Sequence, residues 1–260
     1  MPVIADTHVH LYPRYDAARF LASARRNLTA LAGSAADVEL VLCLAERHDC
    51  HVFHALAAGA TVLPAPWTVV ESSIPGVLAI SEGDPTPIWL IPGRQIVTSE
   101  RLEVLALTMD LDLEDGRPAV EVIDRVLDAG GVPVVAWAPG KWFGVRGRVV
   151  SGLLDRYAPG RLVVGDSSLR PTLWLEPRLM RRAEHLGLSI IAGSDPLPID
   201  GEEARVGTYG VRIDTELDRL APVASLRSAL HRGSMLSRVG RRGGVVETVN
   251  RLRGLRAGRS

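Results

Sequence analysis

The segment Asp6-Thr7-His8-Val9-His10 carries two imidazoles two residues apart. Side chains at i and i+2 of an extended chain point to the same side, so His8 and His10 on a strand present two nitrogens to one point, the beginning of a divalent-metal site. The apolar triplet Val3-Ile4-Ala5 before them is a short strand candidate, and the histidines sit at its C-terminal end. A second signal lies far along the chain, where Ile190-Ile191-Ala192-Gly193-Ser194-Asp195-Pro196 reads as a buried strand ending in a carboxylate. Asp195 is a candidate metal ligand and a candidate acceptor for the proton of an activated water. The alternative is that it caps the turn Pro196 begins.

Cations follow several apolar runs: Arg94 in PGRQ, Lys141 in APGKWFG and Arg170 in DSSLRP. The planar guanidinium and the compact ammonium both suit a phosphate or carboxylate, so the three are candidate anchors for an anionic substrate; each would otherwise pair with a local acid or loop carbonyl. Asp166 in VVGDSS is a strand-end carboxylate placed to hold Arg170 or a ligand. His51 and His54 share a helix face at i, i+3, which fits a solvated or capping role better than ligation. His185 and His231 lie in charged helical segments and read as surface residues.

The elements that must position these groups alternate. A helix is expected over 16–32, a strand over 38–44, a short helix over 51–58, a helix over 118–129 stopped by Gly130-Gly131, and a strand over 132–137. Helix 149–157, strand 161–165, helix 173–186 and strand 189–192 continue the rhythm, which points to parallel β/α architecture. Residues 60–113 depart from it as a run of short strands with Pro and Gly between them. The expectation is one α/β domain over residues 1–260: a distorted, TIM-like (β/α) barrel with a β-rich insertion between its second and third units. Residues 231–260 would form a basic helical extension with its apolar side packed inward. His8, His10 and Asp195 would meet at the C-terminal rim of the strands, where barrel sites are built.

Charge and cysteine usage bound the partners. The 30 Lys+Arg balance 30 Asp+Glu, and Lys141 is the one lysine. The last 30 residues hold eight arginines and one acid, so the neutral total is a basic tail cancelling an acidic body. A neutral chain argues against nucleic acid as a partner, because binding by counterion release needs a basic excess; an anionic small molecule is the expected substrate. Cys43 and Cys50 cannot staple a chain this long, which fits a reducing, cytoplasmic setting. No apolar stretch reaches the roughly 18 residues of a membrane span, and the N-terminus lacks the pattern of a secretory leader.

The quoted motifs resemble a known family. ADTHVHLYP, LCLAERHD, LIPGRQIVTSERLEVLAL, GGVPVVAWAP and AGSDPLP are similar to the successive motifs of PHP-type (polymerase and histidinol phosphatase) metal-dependent hydrolases within the amidohydrolase-like group. The resemblance implies that His8, His10, His48 and Asp195 hold a divalent ion such as Zn, Mn or Fe. A second ion would join if Glu103 or Asp49 supplies an oxygen. Gln95 stands where the family has a glutamate ligand, Trp137 or Ala138 where it has a histidine, and Leu197 replaces the histidine after the final aspartate. Gln95 can coordinate only weakly, through its carbonyl oxygen, and Trp137 would form an apolar wall at the mouth. The implied activity is hydrolysis of an anionic substrate, a phosphoester first. The competing expectation is an impaired member of the family that binds a small anion or a protein.

Overall fold

Asp16 accepts a hydrogen bond from the Arg19 N–H and so starts the first helix. In this computed structural model, which describes residues 1–35, 37–71, 73–233 and 235–257, that helix follows the first strand as its spacing predicts. Ala36, Ser72, Ser234 and residues 258–260, the end of the basic tail, lie outside the described residues. The order is β1 (Val3–Val9), α1 (Ala17–Ala32), β2 (Glu39–Leu44) and α2 (Val52–Ala57). Five strands follow with no helix between them: β3 (Thr68–Glu71), β4 (Leu78–Ser81), β5 (Ile88–Ile91), β6 (Gly93–Val97) and β7 (Glu103–Leu107). Alternation resumes with α3 (Ala119–Asp128), β8 (Val132–Ala136), α4 (Gly144–Arg156), β9 (Val163–Ser167), α5 (Arg178–His185) and β10 (Ile190–Gly193). A 3-10 turn (Glu202–Arg205), β11 (Tyr209–Ile213), α6 (Pro222–Arg232), β12 (Leu236–Gly240) and α7 (Val245–Ala257) complete the chain.

The expected TIM-like, PHP-type barrel is not what these elements build. They form two mixed sheets, one of seven strands in the order β12-β11-β1-β2-β5-β4-β3 and one of five in the order β10-β9-β8-β7-β6. Only β1-β2-β5 and β8-β9-β10 run parallel; β6-β7-β8 and both flanks of the larger sheet are antiparallel. The cause lies in the stretch read as an insertion. Pro92 alone separates β5 from β6, so the chain steps from one sheet straight into the other without a crossover helix, and the strand direction reverses at β7. Where the sheets meet, single bonds replace a ladder. The Glu46 N–H donates to the Gly93 carbonyl and the Gln95 N–H to the Glu46 carbonyl on one side; the Asp195 N–H donates to the His8 carbonyl on the other, each at 2.9 Å.

Both faces of the central strands are covered, which explains their near-continuous apolar character. Val3, Ala5, Val41 and Cys43 face Leu105, Val134, Ala136 and Ile191 in a core between the sheets, closed below by Leu226 and Leu230 of α6. Ile4, Leu40 and Leu42 pack outward under α1, while Val104, Val135 and Val164 pack under α3, α4 and α5. No helix among the described residues is long and apolar enough to cross a membrane.

The C-terminal extension departs from its expected packing. Residues 236–240 are not helical but form an edge strand. In α7, Thr248 and Arg251 are buried while Val245, Val246 and Val249 are exposed, so the valines do not form the expected inward side. The reason is a buried acid: Arg251 donates to both carboxylate oxygens of Glu202, at 2.6 Å to Oε2 and 2.8 Å to Oε1.

The seam between β10 and β1 leaves no room for a side chain. A Cβ on Gly193 would lie 2.3 Å from the His8 Cβ and 2.5 Å from the His8 nitrogen. Gly193→Ala is expected to lower the unfolding free energy by about 3 kcal/mol or more in urea melts. Gly152→Ala, in α4 with nothing within 4 Å, should instead gain up to about 1 kcal/mol from helix propensity. Equal stability of the two variants would contradict the close approach.

Candidate metal centre

Alternation along β1 would place His8 and His10 on the wrong face. Ile4 belongs to the outer cluster under α1, and residues four and six further on share its side in a regular strand. The pairing with β2 shifts between Asp6, opposite Leu42, and Val9, opposite Leu44, so three steps on β1 match two on its partner. This bulge carries Val9 into the outer cluster with Ile4 and turns His8 and His10 toward the space between the sheets.

There the two imidazoles meet Asp195. The three buried side chains offer ligand atoms that all lie within 4.8 Å of one another. His8 Nε2 is 3.1 Å from His10 Nε2 and 3.1 Å from Gln95 Oε1. Asp195 Oδ1 is 3.7 Å from both nitrogens. Two ligand atoms about 2.1 Å from a shared ion stand roughly 2.9–3.4 Å apart at angles of about 90–110°, and near ~3.6 Å at about 120°. The donor set therefore fits one divalent ion held by His8, His10 and Asp195, with the Gln95 carbonyl as a fourth, weak oxygen.

Electrostatics keep the donors in their ligating forms. Burial and the neighbouring His8 push the His10 imidazole down to about 3, so it is neutral at physiological pH. Burial works against ionisation of Asp195, but His8, His10, a hydrogen bond from Ser167 and the Arg251 charge outweigh it and hold the carboxyl below its ordinary value. Ser167 Oγ donates to Asp195 Oδ2 at 2.8 Å, leaving Oδ1 toward the histidines.

Supporting groups fix the backbone. Asp6, within the bulge, accepts from the Ser194 N–H at 2.9 Å, the Ser194 hydroxyl at 2.5 Å and the Gly207 N–H at 2.8 Å, tying β1 to the strand that carries Asp195. Asp195 adopts a left-handed conformation with φ 48°, and the Arg251 Nη2 donates to its carbonyl at 3.1 Å. Arg251 also donates to Ser168 Oγ, whose hydroxyl donates to the Ser194 carbonyl. The Tyr12 ring stacks on His10 with centroids 5.2 Å apart. Sequence reading missed Asp6, Ser167, Tyr12 and Arg251; only Asp6, two residues before His8 and in step with the histidines, carried a local signal.

The other candidates divide between this centre and elsewhere. Gln95, Glu103 and Lys141 line the same cavity, about 530 Å³, as His10 and Asp195, and Lys141 Nζ pairs with Glu103 Oε1 at 3.0 Å. Arg47 and Arg101, not singled out in the sequence, line it too. His48 stands outside, 3.6 Å from Asp115 and largely exposed. Arg94 turns away to Asp110, the carbonyls of Arg47 and Cys50, and His51. Arg170 forms a bidentate pair with Asp166, which also accepts from Tyr209, so both groups are spent on internal contacts. Trp137, expected as a wall of the mouth, is buried in the outer core beneath α4, and Ala138 and Leu197 face the cavity instead.

No protein-family model matches the chain, and no curated protein matches its sequence. Solved structures share its fold, among them two that align over most of this chain. PsfC from Pseudomonas syringae PB-5123 aligns over 99% of this chain and 98% of its own at TM-score 0.58 and 17% identity. The lesion-specific endonuclease PfuEndoQ from Pyrococcus furiosus aligns over 92% of this chain and 58% of its own at TM-score 0.54 and 14% identity. At these identities the likeness concerns the fold alone, where it is consistent with the PHP-like resemblance of the motifs. The second neighbour overturns the exclusion of nucleic acid drawn from the neutral total: a protein acting on nucleic acid is built on this fold. Net charge sums the whole surface, whereas a polyanion reads local charge.

Removing either histidine should empty the centre. His8→Ala or His10→Ala, purified without chelator, is expected to retain less than about a tenth of the transition metal bound by the parent protein, as measured by plasma mass spectrometry. Gln95→Glu, which adds a negative charge 3.1 Å from His8 Nε2, should bind the ion more tightly; unchanged metal content in all three variants would remove these residues from the centre. Arg251→Ala leaves Glu202 buried without its partner and is expected to cost about 3–5 kcal/mol in chemical denaturation.

Proposed function

We propose that the protein is a metal-dependent hydrolase of phosphoesters. The observation that carries this reading is the convergence of His8, His10 and Asp195 within 4.8 Å at the base of a cavity also lined by Arg47, Arg101 and Lys141. A bound divalent ion would supply Lewis acidity and a more acidic water. In this reading the cations bind the non-bridging phosphate oxygens, Arg47 and Arg101 through their forks and Lys141 as a point charge shared with Glu103. Asp195, fixed by Ser167 at one oxygen, keeps the other free to ligate or to accept a proton. Leu197, Leu252 and Leu255 narrow the cavity and limit water around the reacting group. The net reaction adds one water across a P–O ester bond, releasing an alcohol that leaves with a proton.

Phosphodiester chemistry is favoured because a neighbour in fold is named as an endonuclease. The test is turnover of bis(p-nitrophenyl) phosphate by protein reconstituted with Mn or Zn. Activity should fall at least about 100-fold in His8→Ala and after chelation. Lys141→Ala should raise KM about tenfold with a smaller effect on kcat. Turnover that survives chelation and the His8 substitution unchanged would sink the proposal, and unchanged turnover in Asp195→Asn would remove Asp195 from the chemistry.

A further inference from the structure

Two loops that line the cavity over the metal centre also line an apolar cleft. After β8, Ala138 and Lys141 face the centre while Trp142 and Phe143 line a second cavity of about 480 Å³. After β9, Leu169 faces the centre while Trp174 and Leu175 line the second cavity. Lys141 and Phe143 are two residues apart, at most about 7 Å along the chain, so the two cavities adjoin along this loop.

The cleft exposes what globular surfaces ordinarily cover. Phe143 is 57% exposed, Trp174 43% and Leu175 86%. The Phe143 and Trp174 rings stand 6.4 Å apart, tilted by 45°, and Trp174 is braced edge-on against buried Trp137 at 6.1 Å. Each ring thus keeps about half of its surface open to solvent while Trp174 rests on a buried neighbour. Arg178 and Arg181 line the same cleft, and neither guanidinium has an acidic partner among the described residues. The acid of the cleft, Glu176, is already paired with Arg238 at 2.6 Å. The cleft therefore combines exposed aromatic faces with uncompensated positive charge.

We propose that this cleft binds single-stranded nucleic acid, with bases stacking on Trp174 and Phe143 and backbone phosphates held by Arg178 and Arg181, and leads the strand to the His8–His10–Asp195 centre. The assignment of the adjoining centre rests on the phosphoester reading above. Aromatic faces take any unpaired base but cannot reach one inside a duplex, and arginines tracking the backbone supply the salt-dependent share of the affinity.

The test is fluorescence anisotropy of a fluorescein-labelled 12-nucleotide oligothymidylate with the full chain in chelator, where binding is scored without turnover. Trp174→Ala and Phe143→Ala should each weaken binding about 5- to 100-fold, whereas Trp174→Phe should stay within about threefold of the parent protein. Arg178→Ala with Arg181→Ala should weaken binding and flatten the slope of log K against log salt by roughly 1.4. Binding unaffected by Trp174→Ala would overturn the proposal. So would light scattering that finds a dimer of the parent protein and a monomer of Trp174→Ala, because the cleft would then be covered by a second copy of the chain. Loss of bis(p-nitrophenyl) phosphate turnover with oligonucleotide binding intact counts against the phosphoester reading and leaves the cleft standing. Turnover without oligonucleotide binding removes the cleft alone.

Discussion

One extra residue in the first strand decides which way the metal-binding side chains face. Between Asp6 and Val9 the strand takes three steps while its partner takes two, and that mismatch moves His8 and His10 from the helix-covered side to the space between the sheets. A bulge exposes backbone groups and needs partners to persist. Asp6 accepts from the His8 N–H within the bulge at 3.2 Å, and by accepting also from Ser194 and Gly207 it anchors the bulge beside the strand that delivers Asp195. The aim of the histidines and the position of the third ligand are thus set by one carboxylate. The absence of a side chain at Gly193 lets the two strands approach closely enough for that contact.

The second constraint arrives from the far end of the chain. Arg251 enters the interior from α7, pairs with Glu202 and donates to the Asp195 carbonyl. A buried ion pair is weak evidence of net stability, since desolvating both charges offsets most of their attraction. Its visible consequence is positional: Asp195 is held at φ 48°, and the helix is rotated so that its valines face outward. One other arginine of the tail is used similarly, Arg238 against Asp166 and Glu176. Part of the balance of basic tail and acidic body is therefore spent on internal contacts, and the neutral sum says little about what the open cavities attract.

Much of the secondary structure was legible from spacing. The first helix with its Asp16 cap, the strand carrying Cys43, and the β8-to-β10 rhythm follow from apolar periodicity and Gly or Pro punctuation. That the strands form two mixed sheets instead of a closed barrel was not, because alternation of strands and helices constrains neighbours but not whether the two ends join. The Pro92 step between sheets is a local event that reads as an ordinary strand break. Arg94 and Arg170 show the same limit on side chains. Each follows an apolar run as Lys141 does, yet one turns to Asp110 and the other closes on Asp166, and only Lys141 reaches the cavity.

What the sequence determined by itself was chemical identity and local pairing: two histidines in step on a strand and a carboxylate at the end of another. Period-two geometry puts His8 and His10 on one side of the chain without saying which side that is, because facing depends on register with a neighbouring strand. The tertiary structure decided that through the bulge. It also decided that Asp195, distant in sequence, completes the set while His48 does not. Ligation is a matter of ångströms between side chains, and those distances depend on how the two sheets meet.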